Sequence, residues 1–132
     1  MRNFTLLLLF IGFTFSCNDT KNDDSINDNA LVGEWKLTAM KVSPGSVVPF
    51  VEVNSNRTLT FDTNGTFTCN GEFCSSTIDA TMTTDGTYSL NNYTLSSTAC
   101  TAVWDYTFTI SADTLVIDYP SIETIQAKYT RQ

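Results

Sequence analysis

Apolar and polar residues alternate in short stretches along most of this chain. Between residues 34 and 42, Trp35, Leu37 and Ala39 alternate with polar neighbours, which is typical of a β-strand with one covered face. After Ser25 no apolar period of three to four residues is sustained, so the pattern predicts no helix beyond a turn or two. Further strands are predicted at residues 57–61, 66–70, 77–83 (the weakest), 86–90, 93–96, 103–110, 114–119 and 127–131.

Turn residues separate these strands at short intervals. Asn64 and Gly65 lie between two alternating runs, which is a strong signal for a β-hairpin, and Asn91-Asn92 separates a second pair. The longest predicted loop covers residues 44–56. About eight short strands joined by tight turns are typical of an up-and-down barrel or a sandwich. Closure is favoured because it removes exposed sheet edges. We therefore predict an all-β fold at residues 30–132, a single small antiparallel up-and-down β-barrel.

The first 16 residues have the pattern of an export signal. Arg2 precedes an apolar run at residues 4–15, which is shorter than the roughly 20 residues of a membrane-spanning helix but suits a signal-peptide core. Ser16 and Cys17 follow this run, and a small residue before a cysteine here resembles the lipobox of bacterial lipoproteins. The resemblance implies that Cys17 carries lipid and attaches the protein to a membrane. An ordinary secretory signal with an incidental cysteine is the alternative.

A polar segment at residues 17–29 connects this signal to the domain. Ile26 is the one large apolar residue between positions 18 and 29, so the segment buries too little surface to offset its ordering entropy. We predict a disordered acidic tether. Residues 21–24 also resemble the acidic export signals of some Bacteroidota lipoproteins, and a merely solvated linker is the alternative. The expected location is the cell envelope, as an outer-membrane lipoprotein that faces the periplasm or the cell surface.

Composition limits the classes of function open to the domain. Threonine, which suits a half-buried pleated surface, occurs 22 times. The chain has a net charge of −7, and removal of residues 1–16 leaves 14 acidic and six basic residues, or −8. A chain this acidic, without a basic cluster, is a poor binder of nucleic acid. Its charge also discourages association, so we expect a monomer.

The residues needed for catalysis or metal binding are scarce. The chain has no histidine, which is the commonest general base and metal ligand. Three cysteines in the domain are too few for a closed zinc site, and residues 62–65 fit a turn better than a calcium loop. Asp105 and Asp118 would be the candidate carboxylate pair for glycoside hydrolysis, but both lie opposite the aromatic face of their strands. We expect a non-enzymatic protein with no metal and no other cofactor.

Several short motifs occur in the order and spacing of a known family. Gly33-Glu34-Trp35 opens the first strand and resembles the Gly-x-Trp motif of lipocalins. Over residues 31–130 the chain resembles the lipocalin-like domain of Bacteroidota lipoproteins, which implies a lipocalin-like barrel. The further motifs that carry the resemblance are residues 59–67, Gly86-Thr87-Tyr88, residues 114–117 and Lys128-Tyr129.

The resemblance implies roles for two pairs of residues. In lipocalins the tryptophan of the motif packs against a late arginine at the closed end of the barrel, so Arg131 is the expected partner of Trp35, beside Gly33. Such a cation–π contact contributes about 0.5–2 kcal/mol. The family pattern also implies a Cys74–Cys100 disulfide, which would persist in an oxidising compartment. Cys69 would then be a buried free thiol.

The cysteines alone leave another pairing open. Cys69 and Cys74 are close in the sequence, and a Cys69–Cys74 bridge is compatible with the pattern of residues.

Aromatic residues predicted to face the barrel interior are candidate ligand-binding groups. An eight-stranded barrel is just wide enough to be filled by side chains or to hold one small ligand. We favour the filled interior, and a small apolar pocket with tyrosine hydroxyls as its polar groups is the alternative. The candidate residues are Tyr88, Tyr93, Trp104, Tyr106, Phe108 and Tyr119.

The leading interpretation is a membrane-anchored lipocalin-like lipoprotein of the cell envelope that binds a small hydrophobic ligand. The alternative is a surface interaction or accessory module whose barrel is solid. A third, weaker interpretation is an enzyme that uses carboxylates. A buried cavity would favour the first interpretation, and an exposed apolar patch would favour the second.

Overall fold

The structure is a computed structural model that describes residues 28–101 and 105–132. The predicted signal peptide at residues 1–16, Cys17, the tether up to residue 27 and Trp104 lie outside the described residues. The elements are α1 (Asp28–Leu31), β1 (Gly33–Ser43), β2 (Val51–Glu52), β3 (Thr58–Phe61), β4 (Thr66–Cys69), β5 (Thr84–Ser89), β6 (Thr94–Ser96), β7 (Tyr106–Ser111), β8 (Thr114–Tyr119) and β9 (Thr124–Arg131).

Eight of these strands form a closed antiparallel barrel. From β3 to β9 each strand pairs with the next one in the chain, and β1 pairs with both β3 and β9, which closes the sheet. The closing ladder is long, from Trp35↔Arg131 to Ser43↔Thr124. The predicted all-β up-and-down barrel of about eight strands is therefore confirmed. Closure pairs the sheet edges that would otherwise be open to association.

The ninth strand, β2, lies inside the predicted loop at residues 44–56. It pairs with β1 on the side of β3, through Met40↔Val51 and the neighbouring pair. A register shift between Leu37 and Ala39 marks a β-bulge in β1. The simple alternation predicted Ala39 on the inner face, but after the bulge Met40 takes the inward position and joins the core.

Residues 77–83, which we predicted as a weak strand, do not form one. The strands on either side pair directly with each other through Cys69↔Thr84, so neither has a free edge for this segment. Ile78 and Met82, which produced the alternating pattern, are exposed. The prediction was wrong because the alternation of apolar and polar residues in a segment does not show whether a neighbouring strand has a free edge to pair with it.

The two ends of the barrel differ. Asp28 and Asn29, predicted as the end of the tether, belong instead to α1. This short helix covers the end where β1 begins, and the indole Nε1 of Trp35 donates a hydrogen bond to Leu31 O at 2.8 Å. We call this the closed end. The opposite end, where β1, β4, β6 and β8 finish, is the mouth end. Within residues 28–101 and 105–132 no helix is long and apolar enough to cross a membrane.

Candidate functional site

The closed end is held by the residues of the Gly-x-Trp motif and a late arginine. Trp35 is fully buried, and the guanidinium carbon of Arg131 lies 4.2 Å from its ring centroid. Arg131 also donates to Val32 O at 2.9 Å and pairs with Asp113 at 3.5 Å. Gly33 has φ 126°, where a side chain is strained, and a Cβ there would lie 3.2 Å from Arg131 Nη1. These contacts close the barrel and leave no room for a ligand between them.

Aromatic rings fill the interior from the ring of Phe61, near the closed end, to the mouth end. Each of the five rings is buried, and each contacts the next. Successive ring centroids lie 5.7, 4.7, 4.7 and 5.5 Å apart in the order Phe61, Phe67, Phe73, Tyr106 and Tyr119. The space enclosed by this part of the sheet is therefore occupied by side chains.

The predicted pocket residues take different positions. Tyr106, Phe108 and Tyr119 are buried inside the barrel. Tyr88 is half-buried, and its hydroxyl donates to Asp62 O at 2.7 Å. Tyr93 was predicted to face inward, and its ring contacts the ring of the buried Phe108 at a centroid distance of 5.8 Å. It lies in the turn before β6 with φ 54° and is 36 % exposed, because the strand begins one residue later than the pattern indicated.

Phe73, which the sequence did not single out, lies at the centre of the aromatic series. It comes from the loop between β4 and β5, residues 70–83, which we call the mouth loop. Its backbone N–H donates to Thr84 Oγ1 at 3.3 Å, and that hydroxyl donates to Gly71 O at 2.9 Å. The Tyr106 hydroxyl donates to Cys74 O at 3.1 Å. A loop residue thus occupies interior volume that the strands leave at the mouth end.

A buried arginine holds the mouth loop from the inside. Arg57 is 1 % exposed. Its guanidinium donates to the carbonyl oxygens of Glu72 at 3.0 Å and Ser75 at 3.2 Å, and to that of Thr77. It also donates to the hydroxyl of Tyr119 at 3.1 Å. The loop is therefore fixed to the barrel wall by hydrogen bonds from one side chain.

The disulfide joins the mouth loop to the segment after β6. Cys74 and Cys100 are bonded, which confirms the pairing that the family resemblance implied and excludes the Cys69–Cys74 bridge. Cys69 is a buried free cysteine whose sulfur accepts a hydrogen bond from Gly71 N at 3.3 Å. The covalent bond and the Arg57 hydrogen bonds hold the same loop at two separate points.

Clefts formed by the described residues open on the surface. One of about 250 Å³ lies at the mouth end, where Tyr106 and Tyr119 reach the base of the cleft beside Cys74 and Ile125. Another of about 480 Å³ lies on the outer face of β1 and β9 and is lined mainly by polar and charged side chains. The mouth cleft is lined by two rings of the aromatic interior, Tyr106 and Tyr119.

Burial shifts the ionisation of the phenols beneath the mouth. Desolvation raises the pKa of Tyr129 well above its ordinary value, and it raises that of Tyr119 although the positive charge of Arg57 opposes the shift. Burial alone would lower the pKa of Arg57, but Tyr129, Tyr119 and Cys69 raise it, so the guanidinium stays charged.

These shifts predict a loss of stability at alkaline pH. Above about pH 10 the phenols ionise in the unfolded chain but stay protonated in the folded one, so the free energy of unfolding falls as the pH rises further. The expected slope is up to about 1.4 kcal/mol per pH unit for each buried tyrosine. Urea unfolding between about pH 8 and about pH 11 measures it. The Tyr129→Phe variant should have a shallower slope, and an equal slope in both proteins would contradict the assignment.

The two carboxylates that we considered as a catalytic pair do not face the barrel interior. Asp105 is exposed, and Asp118 is half-buried on the outer face, where it accepts a hydrogen bond from Gln126. Among the described residues no group of three or more cysteine, aspartate or glutamate side chains could hold a metal ion.

The sequence analysis did not select Arg57 or Phe73, although the sequence around each residue indicates a buried position. Arg57 precedes an alternating run and has the same parity as the inward Leu59 and Phe61. Phe73 is an isolated large apolar residue next to a cysteine in a polar segment, between Glu72 and Cys74. A basic residue at an inward-facing position of a strand indicates a buried contact. A single aromatic residue next to a cysteine in a polar segment indicates one too.

Comparisons with known proteins identify the family. A family model for the lipocalin-like domain matches residues 31–117, which is more than half of the chain. A comparison with curated proteins and one with solved structures each found no match. The matched part includes the Gly-x-Trp motif, the mouth loop and the disulfide, and it ends within β8. Lipocalin-like proteins are generally non-enzymatic and are associated with small hydrophobic ligands. The chain belongs to the lipocalin-like domain family.

Proposed function

We propose that this protein is a membrane-anchored, non-enzymatic lipoprotein of the cell envelope that binds a small hydrophobic molecule at the mouth end of its barrel. The observation that carries the proposal is the position of Phe73. Its ring fills the apolar interior between Phe67 and Tyr106, at 4.7 Å from each, but it belongs to a loop and not to the barrel wall. An apolar ligand can take the place of this ring without disturbing a strand pairing.

The chemistry around the ring suits such a ligand. The surrounding walls are aromatic and aliphatic, and the tyrosine hydroxyls of Tyr106 and Tyr119 supply a few polar groups at one side. Pockets for small hydrophobic molecules commonly combine an apolar lining with a few fixed polar groups. The mouth cleft gives the route of entry.

The membrane attachment is proposed from the sequence. Cys17 follows an apolar run and a small residue, and a polar segment of about ten residues separates it from α1. A lipid on Cys17 would hold the barrel close to a bilayer, where hydrophobic molecules are available.

Native mass spectrometry of the processed protein, purified oxidised from its own host, tests both parts. We expect a covalent mass increase on Cys17 and a separate noncovalent mass that extracts into organic solvent. A neutral fluorescent probe such as N-phenylnaphthylamine then tests the position of the ligand. The Phe73→Ala variant should bind the probe more tightly than the wild type, with Phe73→Leu as a milder variant.

A matched control is available on the outer face of β8. Val116→Ala changes a side chain that faces away from the barrel interior and should not alter probe binding. Equal binding by the wild type and both Phe73 variants would place the probe outside the barrel and contradict the proposal.

A second function is favoured by the surface of the mouth end. Five large apolar side chains are exposed there, which fits an interaction module that presents its mouth end to a protein partner. If no noncovalent mass and no probe binding are found, this function replaces the first. The residues are Val42, Val47, Ile78, Met82 and Ile122.

A further inference from the structure

The lysines of the barrel lie together on its outer wall. Lys36 and Lys41 lie on the outer face of β1, and Lys128 lies on that of β9, which pairs with β1. They are the three lysines of the described residues, in a chain whose net charge is −7. The sequence showed no basic cluster, because only closure of the barrel brings position 128 beside the first strand. This part of the outer wall therefore gathers positive charge in an otherwise acidic protein.

The cleft of about 480 Å³ lies on this wall, and we call it the outer cleft. Lys128 and Glu52 both pair with Ala39, from opposite sides of β1, so two strand spacings, roughly 10 Å, separate their backbones. Because of the bulge in β1, Ala39 lines this cleft and not the barrel interior. Its small side chain leaves a depression between the lysine on one side and the glutamate on the other.

Contacts within the fold hold both sides of the outer cleft in place. Val53, which follows β2, donates its backbone N–H to Thr38 O at 3.0 Å. On the other side, Thr38 Oγ1 donates to Lys128 O at 3.2 Å. The ammonium of Lys128 lies 4.5 Å from the ring centroid of Phe50, a cation–π contact that restricts its long side chain. The outer cleft is therefore formed before any ligand binds.

The opposite charges in the outer cleft are not paired with each other. Among residues 28–101 and 105–132 the one ion pair joins Arg131 to Asp113. Neither Lys36 nor Lys128 thus has a carboxylate oxygen of that part of the chain within 4 Å, although Glu52 lines the same cleft. A molecule that lies over Ala39 meets positive charge on one side and negative charge on the other.

This arrangement of charge selects among ligands. A singly charged anion would gain from the lysines but lie near the carboxylate of Glu52, and a singly charged cation would meet the reverse. A molecule with both charges, separated by a short spacer, gains at both sides. We propose that the outer cleft binds a small zwitterion, with its anionic group at Lys36 and Lys128 and its ammonium group at Glu52. This site lies outside the barrel and goes beyond the function proposed above.

The test compares three probes with the same carbon chain. The processed oxidised protein, in a detergent with an uncharged head group, is titrated near neutral pH with ε-aminocaproate, caproate and n-hexylamine. The amide resonances of Ala39 and Glu52 in NMR spectra report binding. We expect ε-aminocaproate to bind about fivefold more tightly than either singly charged probe, because each partly exposed charge pair contributes a modest amount.

A zwitterionic lipid head group would present the same two charges as a free molecule. Spectra of the protein in nanodiscs of phosphatidylethanolamine and of phosphatidylglycerol, without added probe, distinguish the two sources. Shifts at Ala39 and Glu52 in the first nanodisc alone would identify the head group as the ligand. Equal spectra, together with the selectivity for ε-aminocaproate, would identify a free molecule.

Three variants locate the two charges of the probe. Glu52→Gln should lower the affinity for ε-aminocaproate about fivefold and leave that for caproate unchanged. Lys128→Gln should weaken both of these probes about fivefold and leave n-hexylamine unaffected. Lys41→Gln is the matched control: it removes the same charge near the same Phe50 ring, but Lys41 does not line the outer cleft, so no affinity should change. The three side chains are exposed or half-buried, so each variant should fold.

The outcomes that overturn the proposal are specific to the outer cleft. Equal affinity for the three probes, or binding of none of them, would overturn the zwitterion site. The carrier function would not be affected, because the neutral fluorescent probe tests it at the mouth end. An equal loss in Lys41→Gln and Lys128→Gln would show that net charge governs binding, and it would overturn the assignment to this cleft.

Discussion

Replacement of Phe73 by alanine is expected to lower the free energy of unfolding by about 3–5 kcal/mol. The ring is fully buried and contacts Phe67, Tyr106 and Tyr119, so its removal loses apolar burial and leaves a cavity among rigid aromatic neighbours. Few single substitutions in a loop have an effect of this size, because loop side chains are ordinarily exposed. Urea unfolding of the wild type and the variant measures the difference.

Two controls separate packing from other causes. Phe73→Leu keeps most of the apolar volume and should cost less than about 1.5 kcal/mol. Val47→Ala changes an exposed residue and should lie within about 0.5 kcal/mol of the wild type. A loss below about 1 kcal/mol for Phe73→Ala would mean that the ring does not pack inside the barrel in solution. A bound hydrophobic ligand should restore part of the lost stability of Phe73→Ala, because it fills the same volume.

The second large effect is expected from loss of the disulfide. Substitution of both Cys74 and Cys100 by serine should lower the free energy of unfolding by about 2–4 kcal/mol, because the bond spans a sequence separation of 26 and restricts the unfolded chain. The same loss should follow reduction of the wild type with dithiothreitol. The double variant should not respond to the reductant.

Cys69→Ala is the matched control for this experiment. Cys69 is free and buried, so the variant should keep the disulfide and respond to dithiothreitol like the wild type. The oxidised wild type should be two hydrogens lighter than the reduced chain in the mass spectrum. If Cys69→Ala abolished the response to reductant, Cys69 would be part of the bond and the Cys74–Cys100 pairing would be wrong.

The two substitutions act on one loop through different states of the chain. Phe73→Ala removes contacts from the folded state, whereas the loss of the disulfide acts chiefly by enlarging the unfolded ensemble. In the folded state the hydrogen bonds of Arg57 to Glu72 and Ser75 still hold the mouth loop when the disulfide is absent. We therefore expect the reduced protein to fold.

The alternation of residues by itself determined the class of fold. A period of two at β1, β7 and β8, together with tight turns such as Asn64-Gly65, fixes strand type and hairpin partners through local geometry. The Gly-x-Trp motif and the order of the other motifs indicated the lipocalin-like family, which the family model confirms. The Cys74–Cys100 pairing was predicted from the same family resemblance, since the spacing of the cysteines alone left another pairing open.

The contents of the barrel were decided only by the tertiary structure. Whether Ile78 and Met82 lie in a strand depends on a free edge, and the direct pairing of β4 with β5 removes that edge. Whether an eight-stranded barrel holds a pocket depends on every side chain that reaches its centre, including those from loops. Phe73 reaches it from a loop, which no strand period marks. Arg57 has the inward parity of its strand, but only the fold shows that the mouth loop supplies its hydrogen-bond acceptors. The sequence therefore determined the walls of the barrel, and the tertiary structure determined what fills them.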